Sequence, residues 1–343
     1  MLKPAAHPYL YASAFLLFAL LLSVAVGSVF IPPAALWQVL VSAVTGQPPA
    51  NPQAETFATI LLSLRLPRTI LLMLVGAGLS GSGTAYQGLF RNPLADPYLI
   101  GVASGAGLGA VLAMTVRWPY TTLGLLAVPM AAFVSALLTV WVVYMLGRVG
   151  RTLPTTNLIL AGVAVSSFAT AATSFLMINS TGELRRALVW MLGGSTMTGW
   201  QPVLVALPYI VIGLGVLLFM GHSLNVLQFG DEQAQQLGLP VGRVRRLVLV
   251  AASLTTAAAV SFAGVIGFVG LMVPHLVRLL WGGDYRRLLP LSIICGAGYL
   301  LVADVIARTV LSPQELPVGI ITALFGAPFF LWVLRRARQQ NYW

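Results

Sequence analysis

Long apolar segments restrict this chain more than any other feature, because only a lipid bilayer can solvate so many of them in one polypeptide. An α-helix rises about 1.5 Å per residue, so about 20 apolar residues cross the hydrocarbon core. The sequence contains ten such segments, of which the eighth is short. They cover residues 9–30, 69–87, 98–116, 122–147, 155–178, 202–221, 247–266, 268–281, 288–310 and 318–334. We therefore predict an all-α polytopic membrane protein of about ten transmembrane helices, with a single domain over residues 1–343.

The charge content supports the same class of protein. Only 8% of the residues are charged, whereas soluble domains contain about 25%. The net charge of +11 would indicate a nucleic-acid partner in a soluble protein. Here the basic residues are scattered singly or in small groups, as in the loops of membrane proteins, so we predict no nucleic-acid binding.

The distribution of basic residues also predicts the orientation. With both termini cytoplasmic and alternating spans, thirteen basic side chains fall inside and six outside. The six are Arg65, Arg68, Arg117, Arg185, Arg186 and Arg308. Cytoplasmic loops carry an excess of Lys and Arg, so an even number of spans with both termini cytoplasmic is favoured.

The most polar internal segment lies on the predicted cytoplasmic side, in residues 222–246. It contains good helix formers between two glycines, which are typical helix stop signals. Its candidate functional residues are Gly230, Asp231, Glu232, Gln236, Leu237 and Gly238. A polar helix between two spans is well placed to contact a soluble partner.

Short motifs and single residues of this chain argue against nucleotide binding, ATP hydrolysis and metal binding by the chain itself. The GxGxxG string that begins at Gly76 lies inside a span, where small residues favour helix packing over nucleotide binding. Glycines at 101, 105 and 109 predict either internal packing or a dimer seam.

The only lysine is Lys3, so the chain has no P-loop and any ATP hydrolysis must come from a second polypeptide. One cysteine, Cys295, forms neither an internal disulfide nor a metal cluster, and we predict neither catalytic nor metal-binding residues.

Two ionisable residues lie at or near membrane depth, where they are functional candidates. Asp304 precedes Arg308 by four residues, which is the favourable order for a helical ion pair. His275 follows Pro274, which frees backbone groups in its helix that a histidine could satisfy. Both residues favour a structural role, and the alternative is a proton-coupled secondary transporter that uses Asp304 and His275.

Eight groups of short motifs, in order along the chain, resemble one family. They are LRLPR at 64–68, QGLFRNPLADP at 87–97 with GVASGAG at 101–107, LAGVA at 160–164, WMLGG at 190–194, GDE at 230–232 with QLGL at 236–239, GVIGFVGL at 264–271 with PH at 274–275, ADVIAR at 303–308, and ELPVG at 315–319 with GAP at 326–328. Together they resemble the FecCD-type permeases, the type II class of ATP-binding-cassette importers for ferric siderophores, haem and vitamin B12. The resemblance covers nearly the whole chain.

This resemblance implies a multi-pass protein of the bacterial inner membrane that works as a permease homodimer. Two ATPase subunits inside would hold ATP and magnesium, one substrate-binding protein would dock outside, and the permease itself would carry no cofactor. Residues 222–246 would form the coupling segment, and Thr155, Thr156 and Asn157 the cytoplasmic gate. Arg65, Arg68 and Arg308 would dock the binding protein.

The implied mechanism is alternating access, with a pathway lined by the fifth, eighth and tenth spans. The resemblance leaves the substrate open among ferric siderophore, vitamin B12 and haem, and it leaves a heterodimer of permeases open as well.

Overall fold

The computed structural model describes residues 7–27, 31–45, 52–119, 121–150, 153–179, 182–194 and 198–340. Two of the thirteen basic residues counted as cytoplasmic, Lys3 and Arg151, lie outside these ranges. So do residues 28–30 of the first predicted span. The helices are α1 (Pro8–Ala25), α2 (Pro33–Thr45), α3 (Pro52–Thr59), a π-helical turn (Ile60–Arg65), α4 (Leu66–Phe90), a 3-10 turn (Pro97–Ile100), α5 (Val102–Met114), α6 (Thr122–Gly147), α7 (Thr155–Asn179), α8 (Leu184–Met191), α9 (Gln201–Phe219), α10 (Gly221–Leu227), α11 (Asp231–Gln236), α12 (Val241–Ala263), α13 (Val269–Trp281), α14 (Tyr285–Thr309) and α15 (Val318–Gln340).

The membrane-crossing helices agree with the sequence. Within the described residues, seven helices are long and apolar enough to cross a membrane, and α5, α13 and α15 contain shorter apolar stretches. Each of these ten elements overlaps one of the ten predicted spans. The predicted all-helical polytopic fold is therefore confirmed.

Helix α4 forms the centre of the bundle and packs against α9, α12, α13 and α14. Small residues on α4 allow these close contacts, because a Cβ atom at two of its glycines would overlap neighbouring backbone. A Cβ on Gly76 would overlap the carbonyl oxygen of Gly296 in α14, and one on Gly83 would overlap that of Gly270 in α13. Gly81, the last glycine of the GxGxxG string that begins at Gly76, likewise faces Leu214 of α9, so the string is a helix-packing surface, as predicted.

The glycines of α5 contact α6 within the chain. A Cβ on Gly105 would overlap Thr139, and one on Gly109 would overlap the carbonyl oxygen of Ala131. Of the two predicted roles for this glycine series, the structure supports internal packing.

Helices α5 and α13 are half-length and begin inside the bundle. The α12–α13 reversal uses left-handed backbone at Gly264, with φ of 76°, and at Phe268, with φ of 68°. Tyr98, just before α5, links the N-terminal ends of α5 and α13 by hydrogen bonds. Its hydroxyl donates to the carbonyl of Ile266 at 2.8 Å and accepts from the Ile266 amide at 3.2 Å.

Candidate functional site

Two polar clusters lie near opposite ends of α14, and the residues on which they are built, Asp284 and Asp304, are about 30 Å apart along the helix. The cluster at its C-terminal end is built on Asp304, which has no exposed surface. Arg68 donates to Asp304 Oδ1 from Nη2 at 2.8 Å and from Nε at 3.2 Å. Arg308 Nε lies 2.9 Å from Asp304 Oδ2, so the predicted ion pair between Asp304 and Arg308 is present. Arg68 also binds Glu315 through Nη1 at 2.6 Å.

Arg65 and Arg308 use their guanidinium groups to cap the C-terminal end of α1. Arg65 Nη1 donates to the carbonyls of Val24 and Ala25, at 2.8 and 3.1 Å. Arg308 Nη2 donates to the carbonyl of Ser23 at 3.2 Å. The last carbonyls of a helix are unsatisfied and carry partial negative charge, so cations there stabilise it.

This geometry bears on the predicted docking of a binding protein. Arg65 and Arg308 are 6% and 4% exposed, whereas the Arg68 side chain is 39% exposed. Direct contact with a partner is therefore better matched by Arg68 than by the other two, and the docking role stays a prediction. A cavity of about 600 Å³ opens beside the three arginines, Asp304 and Glu315.

The cluster at the other end of α14 surrounds the predicted coupling segment. Helix α11 begins at Asp231 after Gly230, whose φ is 101°, and its one buried residue is Ala234. Asp231 Oδ1 accepts from Arg245 Nη2 of α12 at 2.8 Å and lies 3.9 Å from Arg91 Nη2. The predicted polar helix between two glycines is therefore present, and most of its surface is free to meet another molecule.

Asn225 of α10 anchors this segment to the start of α14. Its Nδ2 donates to Asp284 Oδ1 at 2.6 Å, and its Oδ1 accepts from the Tyr285 amide at 2.9 Å. Hydrogen bonds from the Arg286 side chain and from Asn225 hold the pKa of Asp284 well below its usual range. Gln228 adds a bond to the carbonyl of Gly88 at the end of α4, at 3.0 Å.

The predicted gate residues form the first turn of α7. Thr156 and Asn157 are exposed and Thr155 is half-buried. Further along α7, exposed polar side chains continue at helical spacing: they are Ser167, Thr170 and Ser174. With Ser166, they line one side of a groove of about 890 Å³ that also borders Asp96 and Phe268. A polar stripe on an otherwise apolar helix indicates contact with water or another subunit rather than with lipid.

His275 does not join Asp304. Its Nδ1 has no hydrogen-bond partner within the described residues, and its ring lies 6.0 Å from that of Phe329 on α15. His275 Nδ1 therefore does not bond the backbone groups that Pro274 frees. Helix α13 begins beside Gly83, which lies about 22 Å along α4 from Arg68, the partner of Asp304. A direct proton relay between the two residues has no geometric support.

Three contacts in these clusters left no local signal in the sequence. Arg68 and Asp304 are separated by 236 residues, Arg245 and Leu153 by 92, and Asn225 and Asp284 by 59. The polarity of the coupling segment was visible, but the residues that hold it were not.

Known proteins resemble this chain over most of its length. A model of the FecCD transport family matches residues 15–336. The cobalamin import system permease BtuC of Halobacterium salinarum is 49% identical over 281 residues, which cover 82% of this chain and 74% of that protein. The hemin transport system permease HmuU of Yersinia pestis is 41% identical over 289 residues, 82% of this chain and 85% of that protein. A structure reported as an inward-facing conformation of a metal-chelate type ABC transporter matches with a TM-score of 0.79 and 29% identity, over 96% of this chain and 98% of that one.

Proposed function

The chain belongs to the FecCD transport family, and on that premise we propose that it is the membrane subunit of an ATP-driven importer for a bulky metal chelate. The family consists of ABC transporter permeases, which are transport subunits. Two copies of the chain would enclose the pathway, two ATPases would drive it from the cytoplasm, and a binding protein would deliver the chelate from outside. The spans would alternate between outward-open and inward-open arrangements.

The observation that carries this proposal is α11. It is an exposed polar helix held between two membrane-crossing helices, α9 and α12, on the end of the bundle opposite the arginine cluster. Burial in this chain does not account for the helix, since Ala234 is its one buried residue. Its exposed face is suited to a groove on a soluble ATPase.

The polar stripe on α7 supports a pathway between two copies. Ser167, Thr170 and Ser174 would face water in that pathway, where small hydroxyl side chains allow a large chelate to pass without tight binding. A lipid-facing helix would lose free energy by exposing them, although each hydroxyl can bond back to its own helix, as Ser167 and Ser174 do.

Purification in a gentle detergent tests the subunit composition. We expect a P-loop ATPase to co-purify in two copies per two permeases. The double variant Asp231→Arg with Glu232→Arg should lose the ATPase or uncouple its hydrolysis from uptake. The matched control is Glu55→Arg with Glu183→Arg, which changes the net charge equally elsewhere on the chain, at an exposed residue and at one whose side chain is 41% exposed.

Transport into proteoliposomes tests the substrate class. The relatives named above import cobalamin and hemin, so the probes are cyanocobalamin, haemin and a ferric hydroxamate siderophore, each with its binding protein. ATP-dependent uptake of one probe above the other two identifies the chelate. A chain that purifies alone and moves these probes down a proton gradient without ATP would refute the proposal.

Docking of the binding protein is tested at Glu315, whose side chain is 42% exposed. Glu315→Lys leaves Asp304 with both of its arginines and makes the face more positive. If acidic groups on the binding protein dock here, association should become faster and more sensitive to salt. An unchanged association rate at low salt would place the docking surface elsewhere.

A further inference from the structure

Arg245 connects the coupling helix to the segment that leads into α7. One terminal nitrogen, Nη2, donates to Asp231 Oδ1 at 2.8 Å, at the start of α11. The other, Nη1, donates to the main-chain carbonyl of Leu153 at 3.1 Å. Leu153 lies two residues before the first residue of α7, Thr155. A single guanidinium therefore bonds two segments that are separated in the sequence by four helices, α7 to α10.

The chemistry of arginine suits this bridge. Its guanidinium is planar and holds its donors in a rigid fork, so that it fixes the relative position of two acceptors. Lysine carries the same charge as a single point on a flexible stem and does not fix two acceptors in this way. The Arg245 side chain is 12% exposed, so the bridge is largely shielded from water.

Asp231 forms the ion pairs that link α11 to its neighbours within the described residues. Ala234 is the buried residue of α11, and Asp231 faces Arg245 on one side and Arg91, 3.9 Å away, on the other. The neighbouring basic residues of α12 are differently placed. Arg243 and Arg246 are exposed, and Arg246 Nε bonds the carbonyl of Gly242 in its own helix at 3.2 Å.

We propose that Arg245 is the positioning residue through which a movement of α11 is transmitted to the start of α7. This inference rests on the proposed function, because it needs an ATPase that moves α11. When α11 shifts, Asp231 carries the Arg245 guanidinium, and the same group pulls on the carbonyl of Leu153. The exposed polar turn at Thr155, Thr156 and Asn157 then changes its accessibility to water.

The test measures that accessibility directly and does not depend on knowing the chelate. Cys295 is the only cysteine, so Cys295→Ala with Thr156→Cys gives a single reporter thiol at the start of α7. The complex with its co-purified ATPase is placed in nanodiscs, and the rate of labelling by a water-soluble maleimide is measured without nucleotide and after trapping with ATP, magnesium and vanadate. The variants in this background are Arg245→Lys, Asp231→Asn and the matched control Arg246→Lys.

In the reporter background we expect the labelling rate to change by about fivefold or more between the two states, the lower end of typical coupling between sites. Arg245→Lys should abolish most of that change while ATP hydrolysis continues, and Arg246→Lys should preserve it. Asp231→Asn keeps an acceptor but loses its charge, so an intermediate response is expected. The inference is overturned if Arg245→Lys responds to nucleotide like the background, or, should that variant fail to assemble, if Asp231→Asn does.

A failure of the proposed function gives a different result. If the reporter complex itself binds no ATPase and hydrolyses no ATP, both proposals fall together. If it hydrolyses ATP and responds to nucleotide with Arg245 replaced, only the role of Arg245 is refuted.

Discussion

Replacement of Asp304 by asparagine removes a buried carboxylate that Arg68 and Arg308 share. The substitution keeps the size and two polar atoms of the side chain but leaves the two cations without their common anion. Arg308 cannot turn to water, because its side chain is 5% exposed. Arg68 keeps Glu315 and is 39% exposed. Most of the cost should therefore come from Arg308.

The size of the effect follows from this burial. Breaking a buried ion pair by removing one partner costs about 3–5 kcal/mol, and solvent screening of Arg68 favours the lower value of about 3 kcal/mol. An unfolding entropy of about 2.1 cal/mol/K per residue gives about 0.7 kcal/mol/K for a chain of 343 residues. The midpoint of thermal unfolding, Tm, should then fall by about 4 °C.

The assay is thermal unfolding of the purified complex in detergent, with ATP-driven uptake measured on the same samples below Tm. Glu315→Gln is the matched control, because its exposed pair with Arg68 should contribute about 0–1 kcal/mol. The double variant Asp304→Leu with Arg308→Met removes both charges and should lose less stability than Asp304→Asn. An unchanged Tm together with complete loss of uptake would refute the structural role and restore Asp304 as a proton-carrying group.

Three further predictions concern packing, buried polar groups and pH. Gly83→Ala should destabilise the chain by about 1–3 kcal/mol in a thermal unfolding assay, because its Cβ overlaps backbone of α13, whereas Gly107→Ala meets nothing within 4 Å and should be neutral or stabilising. Tyr98→Phe should cost about 1–3 kcal/mol because the backbone at Ile266 loses its partner, and Tyr299→Phe is the control, since that hydroxyl has no partner within the described residues. Because the pKa of Asp284 is lower in the folded protein than in the unfolded chain, its ionised carboxylate stabilises the fold. This stabilisation is complete above the unfolded-state pKa of about 3.9 and is lost as the pH falls through the folded-state pKa. The Tm advantage of the native chain over Asp284→Asn should therefore shrink below about pH 4, and a constant difference would contradict it.

The fold could be predicted from the sequence because a membrane span leaves a one-dimensional signal. A run of apolar residues has to match the bilayer thickness, and even α13 was visible as the short eighth segment. The same holds for α11, whose polar residues lie between Gly230 and Gly238. The ion pair of Asp304 with Arg308 follows from a separation of four residues in one helix.

The site was harder to predict, because charge counting assigns a side of the membrane but not a depth. It placed Arg65 and Arg308 outside, where an exposed docking role is natural. It could not show that the end of α1 leaves carbonyls beside them, or that both side chains turn inward to bind those carbonyls. Contacts between distant segments, such as Arg245 with Leu153, depend on the assembled bundle and have no local pattern.

The half-length helices α5 and α13 have a consequence for the order of events during membrane insertion. Each of α5 and α13 has thirteen residues, which cover about 20 Å of a hydrocarbon core of about 30 Å. Irregular backbone at membrane depth is tolerated only when protein covers it. Tyr98, at the start of α5, finds its partner 168 residues later in the chain, so at about 5–20 residues per second the ribosome needs about 10–30 s to supply it. During that interval the Tyr98 hydroxyl lacks this partner, so we expect the insertion machinery to shield the region before α5 from lipid.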